Sequence, residues 1–202
     1  MENLKTFTHK LDDSILWMNL KTGDEKAFSM LFEKYYGTLV QYGNSFLPFP
    51  EKVQDCVQDV FTDIWVYKAS LNDSVLVKAY LLSSVRRRIA RMQERDHIFK
   101  RAVSTNSLEF LFDFSIENHL IADEATAGNV AKLNALLNEL SARQKEALYL
   151  RYHQGLSIDQ VADLLDVNYQ SANNLLHRTL LKLRKEWTGN FPILLLLSSC
   201  TF

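Results

Sequence analysis

Proline, glycine and cysteine are all scarce in this chain, at three, six and two residues of 202. So few glycines and prolines cannot punctuate a sheet of many short strands, which needs clusters of turn residues. The two cysteines, Cys56 and Cys200, lie far apart and match no metal-ligand spacing. They read as free thiols of a reducing cytoplasm, not as a disulfide framework. No apolar run approaches the roughly 20 residues of a membrane span. The opening segment, MENLKTFTHKLDD, lacks the apolar core and small-residue cleavage site of a signal peptide. Also missing are a Gly-rich phosphate loop, HExxH, CxxC and a nucleophile elbow, and the five histidines are scattered. The expectation is a cytoplasmic protein that is not an enzyme, with no catalytic residue, no metal, no cofactor and no small-molecule substrate.

What remains is helical periodicity. With 47% hydrophobic residues the chain can bury one core or two small ones. A first helix is expected from Asp12 to Lys21. The next, from Asp24, carries Phe28, Leu31, Phe32, Tyr35, Leu39, Tyr42 and Phe46 on one face. After the break at Pro48 and Pro50, a helix from Glu51 to Lys68 shows a Val53, Val57, Val60, Phe61 and Ile64 stripe. A loop over Ser70–Ser74 leads to a helix from Val75 to Asp96, with Leu81, Leu82, Val85, Ile89 and Met92 inward. These helices can close one bundle. The fold class expected is therefore all-α, with two helical domains: a bundle over 1–101 and a helix-turn-helix domain over 129–188. An acidic linker, 102–128, joins them, and an apolar tail, 189–202, follows.

Charge is distributed unevenly. Residues 21–101 hold thirteen basic and ten acidic groups, a net +3. Residues 102–128 hold five acids and no base, and residues 129–188 hold eight bases against six acids. The whole chain nets −1. That is a weak footprint for a protein that holds DNA alone, because phosphate neutralisation supplies most non-specific affinity. Two local patterns stand out against it. Arg86, Arg87, Arg88, Arg91 and Arg95 crowd ten residues that contain no lysine. At 100° per residue Arg87 points opposite the apolar stripe, while Arg88, Arg91 and Arg95 share a flank. Guanidinium forks suit phosphates and stack on bases, and Tyr80, one turn earlier, can stack on an unpaired base. Glu51, Asp55, Asp59 and Asp63 form the second pattern, an i, i+4 acidic stripe. Like charges at that spacing repel by about 0.2–0.5 kcal/mol per pair, so the stripe suggests a basic partner.

The most specific stretch is Leu140–Trp187. Capping boxes at Ser141–Gln144 and Ser157–Gln160 open two helices. The second box starts a short helix from Ile158 to Leu165. The turn Asp166-Val167-Asn168 follows, and then a longer helix with apolar positions 172, 175, 176, 180 and 183. This is a helix-turn-helix pattern, whose second helix is shaped for a DNA major groove. Asn168 is its N-cap. Tyr169, Gln170, Ser171, Asn173 and Asn174 project where base readers sit, and Gln or Asn can address adenine with two hydrogen bonds. Arg178, Lys182, Arg184 and Lys185 suit the phosphate backbone.

The order of these parts, KTGDEKAFSMLFEKYYGTLVQYG, VQDCVQDVFTDIWVYKASL, AYLLSSVRRRIARMQER and then 140–187, resembles the bacterial RNA polymerase sigma factors of the sigma-70 family. The resemblance is to the compact extracytoplasmic-function (ECF) type and covers about residues 12–188. NYQSANNLLHRTLLKLR is most like members from Bacteroidetes-type bacteria. The resemblance implies a division of labour. Asp55, Gln58, Asp59 and Trp65 would dock on the clamp helices of the largest subunit of core RNA polymerase. The loop and helix over Leu71–Arg91, with Tyr80, Arg86, Arg87, Arg88 and Arg91, would read and open the −10 element of promoter DNA. Tyr169, Gln170, Ser171, Asn173, Asn174, His177 and Arg178 would bind the −35 element, and their domain would touch the β flap. Leu108–Glu124 would thread toward the RNA exit path. Such proteins are commonly held by a membrane-bound anti-sigma factor, and the apolar tail and hydrophobic linker make one an expected partner; the tail fits packing on the second domain equally well.

Three positions depart from the family pattern. Arg87 stands where Asn is frequent, Asn173 where Lys or Arg is frequent, and Asp166 where the turn commonly has Gly. A plain helix-turn-helix regulator that binds an operator without polymerase would explain Leu140–Trp187 but not the acidic and arginine-bearing helices. A helical adaptor without a DNA role would leave Asn173 and Arg178 without purpose.

Overall fold

The computed structural model describes residues 13–100, 109–111 and 124–187. They are helical, with no strand among the described residues. The chain divides into two compact units, Met1–Leu108 and Glu109–Phe202.

In unit 1, α1 (13–21) turns through Gly23, whose φ is +94°, into α2 (Glu25–Asn44). Asp24 caps α2, its Oδ1 accepting from the amides of Lys26 and Ala27 at 2.8 and 3.3 Å. That satisfies donors a helix start otherwise leaves unpaired. α3 (Pro50–Val66) begins with Pro50, where a missing N–H costs nothing and φ is already set. A 3₁₀ turn, Lys68–Ser70, and a loop over 71–76 lead to α4 (Val77–Lys100).

The apolar stripes expected from periodicity meet in one core. Leu31, Tyr35, Leu39 and Tyr42 of α2 are buried, with Val53, Val57, Val60, Phe61 and Ile64 of α3 and Leu81, Leu82, Val85 and Ile89 of α4. The helices approach closely at Gly43: a Cβ there would lie 2.4 Å from Val53 Cγ1 and 3.3 Å from Ile89 Cδ1. One polar cluster joins α1 to this core. Asp13 accepts from the Tyr35 hydroxyl and pairs with Lys34 Nζ at 2.6 Å. Burial and then the Asp13 carboxylate push the Tyr35 hydroxyl far above the ordinary phenol range, so it stays a donor.

Unit 2 contains α5 (Glu124–Asn138), α6 (Ala142–Leu148), a π turn (Tyr149–His153), α7 (Ile158–Leu164) and α8 (Tyr169–Glu186). Both capping boxes form, with Ser141 and Gln144 at α6 and Ser157 and Gln160 at α7. Asn168 Oδ1 caps α8 by accepting from the Ser171 amide at 2.7 Å. Helix α5 begins at Glu124, inside the stretch read as linker. Phe110, also from that stretch, is 2% exposed and packs on Tyr149 with ring centroids 5.5 Å apart. The π turn was not foreseen. It places the buried Tyr149 hydroxyl where Gln154 Nε2 donates to it at 2.8 Å, pairing two polar groups inside the core. The apolar tail, Cys200 and most of Leu108–Glu124 lie outside the described residues.

The close approach at Gly43 decides a sign. Ala normally gains about 0.5–1 kcal/mol over Gly inside a helix, but overpacking a core costs about 1–3 kcal/mol. Gly43→Ala should therefore destabilise the protein by about 1–2 kcal/mol. Gly37→Ala, on an open face of the same helix with nothing within 4 Å, should stabilise it by about 0.5–1 kcal/mol. Urea denaturation midpoints of the two variants check this, and a shift in the same direction for both would contradict it.

Asp166 provides a second sign. It ends α7 with φ +54°, the left-handed region, and is the one non-glycine residue found there among the described residues. Gly at this position should raise stability by up to about 1 kcal/mol, whereas Val should lower it by about 1–2 kcal/mol. The same denaturation experiment reads both changes.

Candidate nucleic-acid interface

Two surfaces carry the residues singled out from the sequence, one on each unit. On unit 1, the C-terminal half of α3, the 3₁₀ turn, the following loop and α4 enclose a cleft of about 230 Å³. Its apolar wall is Val60, Ile64 and Leu71, and its polar side is Ser84, Arg87, Arg88 and Arg91. Tyr67, Tyr80 and the carboxylate of Asp63 complete it.

The arginine run is sorted by this geometry. Arg87 and Arg91 are exposed at the cleft, with Arg91 Nε donating to the Arg87 carbonyl at 3.3 Å. Arg88 instead reaches back to α3, donating to Asp63 Oδ2 at 2.9 Å and pairing with Asp59. Burial opposes its charge, but the hydrogen bond and charge of Asp59 and the charge of Asp63 leave its pKa raised. Part of the acidic stripe thus finds its cation within the chain. Arg86 is half-buried and does not line the cleft.

Tyr80 is half-buried, its ring edge-on to Trp17 at 5.2 Å. The more open aromatic is Tyr67, 61% exposed at the end of α3. Sequence reasoning passed over it because it sits in no apolar stripe and beside no charge cluster. Its signal is an aromatic residue just past a helix end, where packing does not account for it.

On the outward side of α3, Asp55 and Gln58 are exposed, while Asp59, also exposed, pairs with Arg88 of α4. Trp65 shares their side of the helix by i+7 spacing from Gln58. It is half-buried, tilted against Phe28 at 5.1 Å, with Lys68 Nζ 4.2 Å over its ring. Gln58 borders a hollow formed with Phe28, Phe32, Phe61 and Thr62.

On unit 2, α7 and α8 form the helix-turn-helix. Ala172, Leu176, Thr179 and Leu183 turn α8 into the core. Thr179 is fully buried, which its apolar neighbours did not suggest; its hydroxyl donates to the Leu175 carbonyl at 2.7 Å, removing the cost of burial. The opposite face presents Tyr169, Gln170, Ser171, Asn174, His177 and Arg178, all exposed, with Asn173 half-buried beside them. Gln170 Nε2 lies 3.4 Å from Asn174 Oδ1. The first two turns thus offer neutral donors and acceptors, and cations begin at Arg178. No helix among the described residues is long and apolar enough to cross a membrane.

The family model described as Sigma-70, region 4 matches residues 131–183, which include the helix-turn-helix. The chain is 25% identical over 167 residues to the ECF RNA polymerase sigma factor SigX of Bacillus subtilis (strain 168), covering 80% of this chain and 84% of that protein. Two solved structures share the fold. CnrH, in complex with the cytosolic domain of CnrY, has a TM-score of 0.55 at 20% identity, over 86% of this chain and 96% of CnrH. The sigma factor RpoE, in complex with the anti-sigma factor NepR from Bartonella quintana, gives 0.55 at 20% identity, over 82% of this chain and 99% of RpoE. A region 4 match over residues 131–183, similarity to an ECF RNA polymerase sigma factor along four-fifths of the chain and a fold shared with the sigma factor RpoE all point the same way: this chain is similar to the sigma-70 family of RNA polymerase sigma factors, and within it to the ECF type.

Proposed function

We propose that this sigma factor joins core RNA polymerase through the outward side of α3 and reads a promoter with two separate surfaces. Asp55, Gln58, Asp59 and Trp65 meet the clamp helices of the largest subunit. The cleft of unit 1 accepts a −10 base extruded from the duplex, with Arg87 and Arg91 on its sugar-phosphate and base edges and Tyr67 or Tyr80 against its face. Tyr169, Gln170, Ser171, Asn173, Asn174, His177 and Arg178 address the −35 element, and unit 2 also touches the β flap. Residues 1–101 and 129–188 are the working domains, with 102–128 between them leading toward the RNA exit path. The chain acts in the cytoplasm as a specificity subunit, not as an enzyme.

One observation carries this reading. The cleft combines an apolar wall, aromatic rings and exposed guanidinium groups, which together suit an unstacked base and its backbone. Within the run, Arg88 is tied to Asp59 and Asp63, while Arg87 and Arg91 face the opening. An anti-sigma protein is a further proposed partner, supported by the similar RpoE structure, which contains NepR.

The test is open-complex formation by polymerase reconstituted with each variant on promoters mapped by transcript start sites. Arg87→Ala and Arg91→Ala should each weaken opening by about 1–3 kcal/mol, or five- to 150-fold, with affinity for core polymerase retained. Unchanged opening in both variants would remove the cleft from the mechanism. Asn174→Ala should relax base preference in the −35 element. Arg178→Ala should instead weaken all sequences similarly and lower the salt dependence of binding.

A further inference from the structure

Trp17, on α1, belongs to neither of the surfaces described above, yet it is a large side chain with only 1% of its surface exposed. Its indole Nε1–H donates to the main-chain oxygen of Asn72 across 2.9 Å. Its ring meets that of Tyr80 edge-on, at 5.2 Å and 66°. One turn further along α1, Lys21 pairs with Asp73. Asn72 also closes a local turn, its Oδ1 accepting from the Ser74 amide at 2.9 Å. Helix α1 therefore holds two successive residues of the loop that joins the 3₁₀ turn to α4, and it braces the first turn of α4 as well.

Trp17 itself does not line the cleft, but its contacts reach the wall from two sides. Tyr80 is a wall residue, and Leu71, another, directly precedes the anchored Asn72. Loops without regular hydrogen bonding are the parts of a fold that open most readily. A wall built on such a loop would have to be ordered each time a base entered, which weakens both affinity and discrimination. A buried indole N–H, in turn, requires an acceptor, and the Asn72 carbonyl provides one that also fixes the loop.

We propose that Trp17, assisted by Lys21, is a positioning residue that sets the 71–76 loop and Tyr80 in place before DNA arrives, so that the cleft is already formed for the extruded base. The inference rests on the reading of the cleft as a base pocket given above. It assigns to α1 a share in −10 discrimination through residues that need not touch DNA.

The experiment uses the full chain assembled with its cognate core polymerase and two randomised DNA pools, one single-stranded and one duplex. Trp17→Phe keeps a ring against Tyr80 and removes the donor to Asn72. It should flatten the motif enriched from the single-stranded pool and weaken binding to the wild-type winner about three- to tenfold, the range of one hydrogen bond. Enrichment from the duplex pool and affinity for core polymerase should not change. Lys21→Asp and Asp73→Lys should each act in the same direction, and the double exchange should restore the motif. An unchanged single-stranded motif in Trp17→Phe and in both single exchanges overturns the proposal. So does an equal loss of duplex enrichment and core affinity, which would mark Trp17 as packing alone. Arg87→Ala in parallel separates the two levels. A motif flattened by Arg87→Ala but not by Trp17→Phe or the exchanges rejects only the positioning role. A motif that neither touches, or that the wild type never enriches, rejects the base pocket and this inference together.

Discussion

The arrangement of unit 1 depends on one missing methyl group. At Gly43, α2 comes close enough to Val53 of α3 and Ile89 of α4 that no β-carbon fits without a shift. Interiors are packed to crystal-like density, so an approach of this kind constrains all three helices together. The consequences extend along α3 and α4. With their apolar stripes locked, Asp59 and Asp63 on one helix stand opposite Arg88 on the other. The cleft beyond them takes Val60 and Ile64 from α3 and Ser84 and Arg87 from α4. A chain that let α3 and α4 drift would keep its helices and lose this register.

The ion pairs around Arg88 refine that register; they do not create it. Asp59 and Asp63 are about half exposed, and exposed pairs contribute only about 0–1 kcal/mol each. Burying five α3 side chains against α2 and α4 is worth about 1.5–3 kcal/mol per residue before entropy is counted. Packing therefore sets the helix positions, and electrostatics then chooses among the arginines. Repulsion within the acidic stripe is relieved where Arg88 sits, which leaves Arg87 and Arg91 as the exposed guanidinium groups of the cleft. Asp55 and Gln58 stay exposed on the outward side. The helix thus separates a flank that faces α4 from a flank open to a larger partner.

Much of this was legible in the residues. Helix positions followed from apolar spacing, and both capping boxes and the Asn168 cap followed from local chemistry alone. Local signals of that kind act within four residues and are printed directly in the sequence. What could not be read depends on residues far apart. Whether Arg88 faces α3 or the cleft is decided by a carboxylate 25 residues away. Tyr80 looked like a free stacking ring because Trp17, 63 positions earlier, had no visible tie to it. The burial of Thr179 has no mark in the sequence, because its donor bond to Leu175 appears only once the helix has formed. The acidic stretch read as linker hid Phe110, whose burial depends on the π turn at Tyr149.

The modest charge of the chain becomes intelligible from the same geometry. Each phosphate neutralised adds about 0.9 to the salt slope of binding to duplex DNA. On α8 the exposed cations begin at Arg178, after two turns of neutral polar residues. In the proposed role, that face would discriminate base edges while adding little sequence-independent affinity. The cleft of unit 1 is similar in kind, since Arg88 is spent on α3 and two exposed arginines remain in its lining. Two weak readers gain strength when one body holds both near their targets, because the second contact then forms at high effective concentration. A strongly basic chain would instead bind DNA anywhere by itself, and its specificity would be diluted across competing sites. The low charge thus favours a protein that reads promoters when polymerase carries it and leaves DNA alone otherwise.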